Sequence, residues 1–319
     1  MDLVPFEPYF ERAKEACVGV LISPKTGDEA LDIGTGTLVT IGVKVFVLTA
    51  GHNVWNADAG DLNAIAVGRP PDSVIVLIHP GDGSAGHVYV RRPETAGEYP
   101  EPDVAVVELT EKTLVAGACK PFSEDDVGFF DTNVLTPLGD GYGYGRDVVV
   151  TGFPSYMVTL EKGAPVGRSD RPSLGSPLLS MKAASIPSVN KDRFDGKEPP
   201  EGRGLHVFLS RVMQDQGDKE IPLKEASGMS GGPAIEAKDG GALVGLMRGV
   251  VNYEGAWDAW CEPAAEAVRL LVDHADAQVA AAAVRVCERY DRERAKAVPV
   301  PAIPKGATVE FSWSKPTAV

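Results

Sequence analysis

Over its first 255 residues the chain alternates short apolar runs with turns rich in Gly, Pro, Asp and Asn. The runs read "VGVLIS", "TLVTIG", "KVFVLTA", "SVIVLIH", "HVYVRR", "DVAVVEL", "RDVVVTGF", "LHVFLSRV" and "ALVGLMRGVV". Val, Ile and Leu dominate them, several alternate with polar residues, and turn formers bound most of them, so each is predicted to be a β-strand. Helix-period segments are scarce between them. That pattern argues for an all-β sandwich or barrel arrangement and against repeated βαβ units. Nine such runs over this length fit two small barrels better than a single sheet.

The polar, Gly- and Pro-rich stretch over residues 121–145 marks a boundary, dividing the chain into an N-terminal barrel (1–125) and a C-terminal barrel (126–255). Residues 155–204 carry so much Pro, Ser, Gly and charge that they read as a long loop insertion, with one strand at "LLSMKAASI". After residue 255 the pattern changes. Val268, Leu271, Val272, Ala275, Val279, Val286 and Tyr290 recur at roughly helical spacing in an Ala-rich segment, predicting an amphipathic α-helix over 256–297. Its apolar stripe either docks on the last barrel or binds a partner; docking is favoured, because a lone helix gains most of its stability from packing. A Pro-rich tail, 298–319, ends the chain.

Composition narrows the function classes. The 319 residues carry a formal charge of −14, which repels phosphate backbones and anionic membranes, so neither nucleic acid nor membrane is an expected partner. The N-terminus lacks the basic start and apolar run of a secretory signal, and no apolar stretch reaches the length of a membrane span, so a cytoplasmic protein is expected. Cys17, Cys119, Cys261 and Cys287 lie far apart without histidines at ligand spacing, which predicts free thiols and no metal site. "GDGYGYG" lacks the glycine order of a dinucleotide loop and precedes a strand, so no cofactor is expected.

The candidate chemistry starts at "GMSGGPAIE", residues 228–236, where Ser230 stands among glycines. Alone, this is an ordinary turn feeding a strand. Of the five histidines, His52 lies at the polar exit of the apolar strand "VFVLTAGHNV", where a side chain can face a cleft. Asp103 heads the alternating strand "DVAVVEL". A serine nucleophile needs an imidazole base, and the base needs a carboxylate to hold its tautomer and stabilise its cation. Strand-opening Asp residues also serve turns, so neither partner is decisive by itself.

Taken in order, "GTGTLV…VFVLTAGHNV", "DVAVVEL" and "GMSGGPAIE…LVGLMRG" resemble the chymotrypsin/trypsin-like serine peptidases across residues 34–250, about two thirds of the chain. The resemblance implies two six-stranded antiparallel β-barrels with the active site between them. It casts His52 as general base and then acid, Asp103 as its orienter and Ser230 as nucleophile. Gly228 and Gly231 would let the backbone turn sharply, so that the N–H groups of Gly228 and Ser230 converge on the oxyanion. The implied activity is serine endopeptidase, acting on a protein or peptide substrate.

One departure is specific. Met229 stands where the secreted digestive relatives have an aspartate that pairs with a new N-terminus, so activation by that ion pair is excluded. With no signal and no disulfides, the chain looks more like the bacterial high-temperature-requirement type and other intracellular relatives. Regulation is then expected from the 155–204 segment, the C-terminal helix or a regulatory protein partner. By resemblance the pocket floor falls on Lys224 and one wall on Met247 and Arg248, which would suit an acidic or polar side chain; Arg248 could equally project to solvent. The alternative function is a catalytically silent trypsin-like scaffold that binds proteins.

Overall fold

The computed structural model describes residues 7–23, 32–68, 76–78, 87–95, 97–98, 100–109, 119–129, 135–138, 141–144, 147–155, 179–185, 205–214, 217–220, 227–237, 240–253 and 256–296. The first described element is helix α1 (Glu7–Ala16), followed by strands β1 (Cys17–Ser23), β2 (Asp32–Ile41) and β3 (Lys44–Thr49). A helical turn, α2 (Gly51–Val54), leads into β4 (Trp55–Asn56), β5 (Asp61–Leu62), β6 (Ala64–Gly68), β7 (Val76–Ile78), β8 (Val88–Val90), β9 (Ala105–Leu109) and β10 (Phe122–Ser123). Next come β11 (Leu135–Leu138), β12 (Gly141–Tyr144), β13 (Asp147–Gly152), β14 (Leu179–Ser185), β15 (Leu205–Gln214), β16 (Gly217–Glu220), β17 (Pro233–Glu236), β18 (Leu243–Tyr253) and β19 (Ala256–Pro263). Helices α3 (Ala264–Val268) and α4 (Ala277–Lys296) follow.

Two sheets carry the fold. The first runs β7-β6-β1-β2-β3-β9-β8, with β10 added in parallel to β2. The second runs β14-β13-β17-β18-β19-β15-β16, and a further antiparallel pairing of β14 with β15 joins six of its strands in a ring. The first sheet curls without a pairing between β7 and β8, so two closed six-stranded barrels are not both present among the described residues.

The near-continuous apolar runs have a direct cause. Successive side chains of a strand point to opposite faces, and both faces of the first sheet are covered. On β3, Val45 and Val47 face a cluster with Val18, Val20, Leu38 and Val107 inside the curl, while Phe46 and Leu48 face a second core shared with α1, α3 and α4. That second core also takes Val149, Ile235 and Leu246 from the second sheet, so it holds the two sheets together.

Several expectations are revised. No element was foreseen for residues 7–16, yet Phe10, Ala13 and Ala16 of α1 are buried at three-residue spacing in the shared core. The helix expected over 256–297 is broken: residues 256–263 form β19, which pairs with β18 and β15 and extends the second sheet past residue 255. After α3 the chain turns, Ala275 is exposed, and α4 restarts where Asp276 Oδ1 accepts the N–H groups of Gln278 and Val279 as an N-cap. Val279, Val286 and Tyr290 do form a buried stripe. That stripe docks, but largely against α3, β2 and the turn at Glu124–Asp126, not on the second sheet alone. Arg289 clamps the turn by donating to the carbonyls of Glu124 at 2.6 Å and Val127 at 3.0 Å. Of the 155–204 segment, β14 and residue 155 are described; the rest lies outside the described residues. The 298–319 tail also lies outside them. No described helix is long and apolar enough to cross a membrane.

Candidate active site

The apolar strand β3 ends at Thr49, and the one-turn helix α2 then lifts His52 out of the sheet. Its backbone N–H donates to Asp103 Oδ1 at 2.8 Å and its ring Nδ1 lies 2.7 Å from Asp103 Oδ2. A carboxylate can only accept, so Nδ1 carries a proton, and in the neutral ring the basic lone pair is that of Nε2. The glycine before the histidine is a steric requirement: a Cβ on Gly51 would come within 2.8 Å of Asp103 Oδ1. Asp103 is 3% exposed. Burial opposes its charge, but the hydrogen bonds and charge of His52, aided by Arg248, prevail and hold the carboxyl below its ordinary range.

Ser230 sits on the turn between residue 227 and β17. Gly228 and Gly231 have φ of +89° and +90°, a region that L side chains rarely enter, and there is no room for a side chain at either. A Cβ on Gly231 would meet the carbonyl of Thr35 at 2.1 Å. Met229, between them, is fully buried and packs against Gly152, where a Cβ would touch its own at 2.9 Å. An apolar anchor thus occupies the position at which an ion pair was excluded. Neither the Gly228 nor the Ser230 N–H has an acceptor among the described residues.

The loop is held from the first sheet by buried polar side chains. Thr35 Oγ1 donates to the Gly228 carbonyl at 2.7 Å and accepts the Phe153 N–H at 3.0 Å. Thr37 Oγ1 donates to the Gly231 carbonyl at 3.0 Å. The Ser230 carbonyl takes the Thr35 N–H at 2.9 Å and Asn53 Nδ2 at 2.8 Å, and Asn53 also donates to Thr49 Oγ1. These residues went unread in the sequence. The Gly-Thr alternation of "GTGT" places Thr35 and Thr37 on one face of a strand without saying what they meet, and Thr49 and Asn53 in "LTAGHNV" carry no such pattern.

His52, Asn53, Trp55, Asn63, Gly228 and Ser230 line one cavity of about 300 Å³. His52, Asp103 and Ser230 are therefore brought into one neighbourhood. The Ser230 hydroxyl donates to the Arg248 carbonyl at 3.0 Å. Of the specificity candidates, Lys224 lies outside the described residues. Met247 is buried at 1% exposure, and Arg248 turns its guanidinium to Glu101, Glu262 and Asp103, so neither lines this cavity. Glu262 is 2% exposed; burial raises its carboxyl above the ordinary range, and the negative charges of Glu101 and Asp103 add to this against the pull of Arg248. Among the described residues no group of His, Cys, Asp and Glu could hold a metal ion.

Comparison with known proteins adds little beyond the geometry. No protein-family model matches the chain, and no curated protein matches its sequence. Among solved structures, the chain is similar to a serine endoprotease from Yersinia pestis at 13% identity and TM-score 0.43, over 86% of this chain and 69% of that one. It is similar to the thermostable serine protease AL20 from an extremophilic microorganism at 15% identity and TM-score 0.45, over 78% of this chain and 91% of that one. A third similarity is to protease Anisep from Arthrobacter nicotinovorans, at 14% identity and TM-score 0.43, over 78% and 90% of the two chains. At these identities and scores the similarities carry no argument about chemistry, and the site is read from its own residues.

Proposed function

We propose that the chain is a trypsin-like serine endopeptidase that cleaves peptide bonds through an acyl-enzyme on Ser230. His52 takes the proton from the Ser230 hydroxyl as it attacks the scissile carbonyl, then returns a proton to the leaving amine. Asp103 holds the ring in the Nδ1–H tautomer and stabilises the imidazolium. The N–H groups of Gly228 and Ser230 receive the oxyanion, a contribution typically worth about two to three orders of magnitude in rate per donor. The observation that carries this reading is the 2.7 Å contact of His52 Nδ1 with a buried, ionised Asp103, on a ring that shares a cavity with Ser230. Protein or peptide is the substrate class. We place the chain in a reducing compartment such as the cytoplasm, where cysteines like these four stay out of disulfides.

The Ser230 hydroxyl bonded to the Arg248 carbonyl favours a second reading, a site at rest or a silent scaffold that binds proteins. In the resting case the hydroxyl rotates to His52 when substrate or a regulatory partner arrives. Reaction with a fluorophosphonate probe, read by intact mass on wild type and Ser230→Ala, tests both. Labelling confined to wild type supports an activated nucleophile; a folded wild type that stays unlabelled rules out a constitutively active peptidase and leaves the latent or scaffold reading.

A further inference from the structure

Arg248 occupies an irregular position in its sheet. On either side of it Met247 pairs with Cys261 and Gly249 with Trp260, so Arg248 is the extra residue of a β-bulge. A bulge turns a residue out of the alternating pattern and re-aims what it carries. Here the bulge aims two groups of Arg248 at two members of the site. Its carbonyl accepts the Ser230 hydroxyl at 3.0 Å. Its Nε lies 3.5 Å from Asp103 Oδ2, the oxygen that His52 Nδ1 also contacts.

The guanidinium is held in place by two further carboxylates. Glu101 grips it at two points, 2.7 Å and 3.3 Å, and Glu262 Oε1 lies 2.9 Å from Nη1. Among the described residues, the charged and titratable groups around this centre are Glu101 and Asp103 from the segment before β9, Glu262 from β19 and His52 from α2, and Asp32 of β2 lines the cavity that His52 also lines. Among the described residues, carboxylates thus outnumber cations behind the His52 ring. Without Arg248 their combined charge would stabilise the imidazolium strongly, and an imidazolium cannot take the serine proton.

We infer that Arg248 is a positioning residue for the His52–Asp103 pair: its guanidinium shares Asp103 Oδ2 with the imidazole and offsets the carboxylates behind the ring, setting the pH at which the ring gains its second proton. The inference rests on the peptidase reading for its purpose, but the charge effect itself is measurable in a chain that hydrolyses nothing. Glu262 reports the same balance: burial raises its carboxyl, Arg248 opposes this, and the charges of Glu101 and Asp103 add to it.

The test follows the His52 ring by NMR while pH is stepped, in the full chain, for wild type, Arg248→Gln and Glu101→Gln. At an effective dielectric typical of such sites, removing the cation should raise the titration midpoint by about one pH unit. Removing the Glu101 charge, which is half exposed and screened, should lower it by a few tenths of a unit, on the order expected for a surface charge. A merely structural role predicts no displacement, or displacement of the same sign in both, and either result overturns the inference. If Arg248→Gln does not fold, Glu101→Gln carries the test, and an unmoved midpoint there overturns it. Fluorophosphonate labelling of wild type in parallel separates the two readings: displaced midpoints without labelling keep the charge device and count against an active peptidase, whereas labelling with unmoved midpoints does the reverse.

Discussion

His52 donates twice to Asp103, from its backbone N–H at 2.8 Å and from its ring at 2.7 Å, so one buried carboxylate fixes both the turn that carries the imidazole and the tautomer it adopts. The double contact exists because Gly51 leaves the carboxylate room to approach.

Asp103→Asn therefore separates position from charge. The amide keeps the shape, but its nitrogen would oppose the Nδ1 proton and favour the other tautomer. Fluorophosphonate labelling of Ser230 should slow by about four orders of magnitude, the loss typical when a triad carboxylate becomes an amide. A time course by intact mass gives the rate. Labelling within tenfold of wild type would remove Asp103 from the assigned role.

Gly231 and Gly240 share a left-handed backbone, at φ +90° and +84°, but only Gly231 is crowded. Both alanine variants incur the strain of that region, of order 1 kcal/mol. Gly231→Ala should lose about 1–3 kcal/mol more, because its Cβ would fall 2.1 Å from the backbone oxygen of Thr35, whereas a Cβ on Gly240 meets no described residue within 4 Å. Thermal unfolding of the two variants side by side reads the difference; equal losses would show that the turn can relax away from β2.

Thr35→Val keeps the volume and removes a hydroxyl that serves both the Gly228 carbonyl and the Phe153 N–H. Both are buried and would lose their partner, so stability should fall by roughly 2 kcal/mol or more in denaturant unfolding. Labelling should slow as well, since the Gly228 peptide would no longer be anchored. Unchanged labelling in a destabilised chain would confine Thr35 to folding.

Asp103 and Glu262 pull stability in opposite directions with pH. Asp103, held below its ordinary value of 3.8, contributes stability that is present above that pH and is lost as pH falls through its native value. Glu262, raised above 4.5, contributes stability that is complete below that pH and is lost as pH rises through its native value. Glu262→Gln removes the second contribution and keeps an oxygen for Arg248. Compared with wild type, its stability should improve as pH is raised from about 4.5 to 7. A gap that stays constant, or moves the other way, would show that Glu262 titrates normally.

Strand positions were legible wherever burial imposed a pattern, as in β3, β9 and β13, whose apolar runs match their covered faces. The segment after residue 255 misled because Trp257, Trp260 and Cys261 fall at i, i+3 and i+4, a helical spacing that runs on into the Ala-rich stretch beyond them. Only pairing with β15 and β18 makes residues 256–263 a strand. Long-range hydrogen bonding is invisible to local periodicity.

The order His52, Asp103, Ser230 and the glycines around the serine are properties of the sequence, because sharp turns and acid–base chemistry demand particular residue types at particular places. What meets what was decided by the tertiary structure. Arg248 reads equally well as a pocket wall or a solvent-facing side chain until a bulge turns it toward Asp103, and Glu101 and Glu262 lie 161 residues apart in the chain yet hold the same guanidinium. Charge compensation depends on distance in space, and distance in space is set by how two sheets pack, which no local stretch of residues encodes by itself.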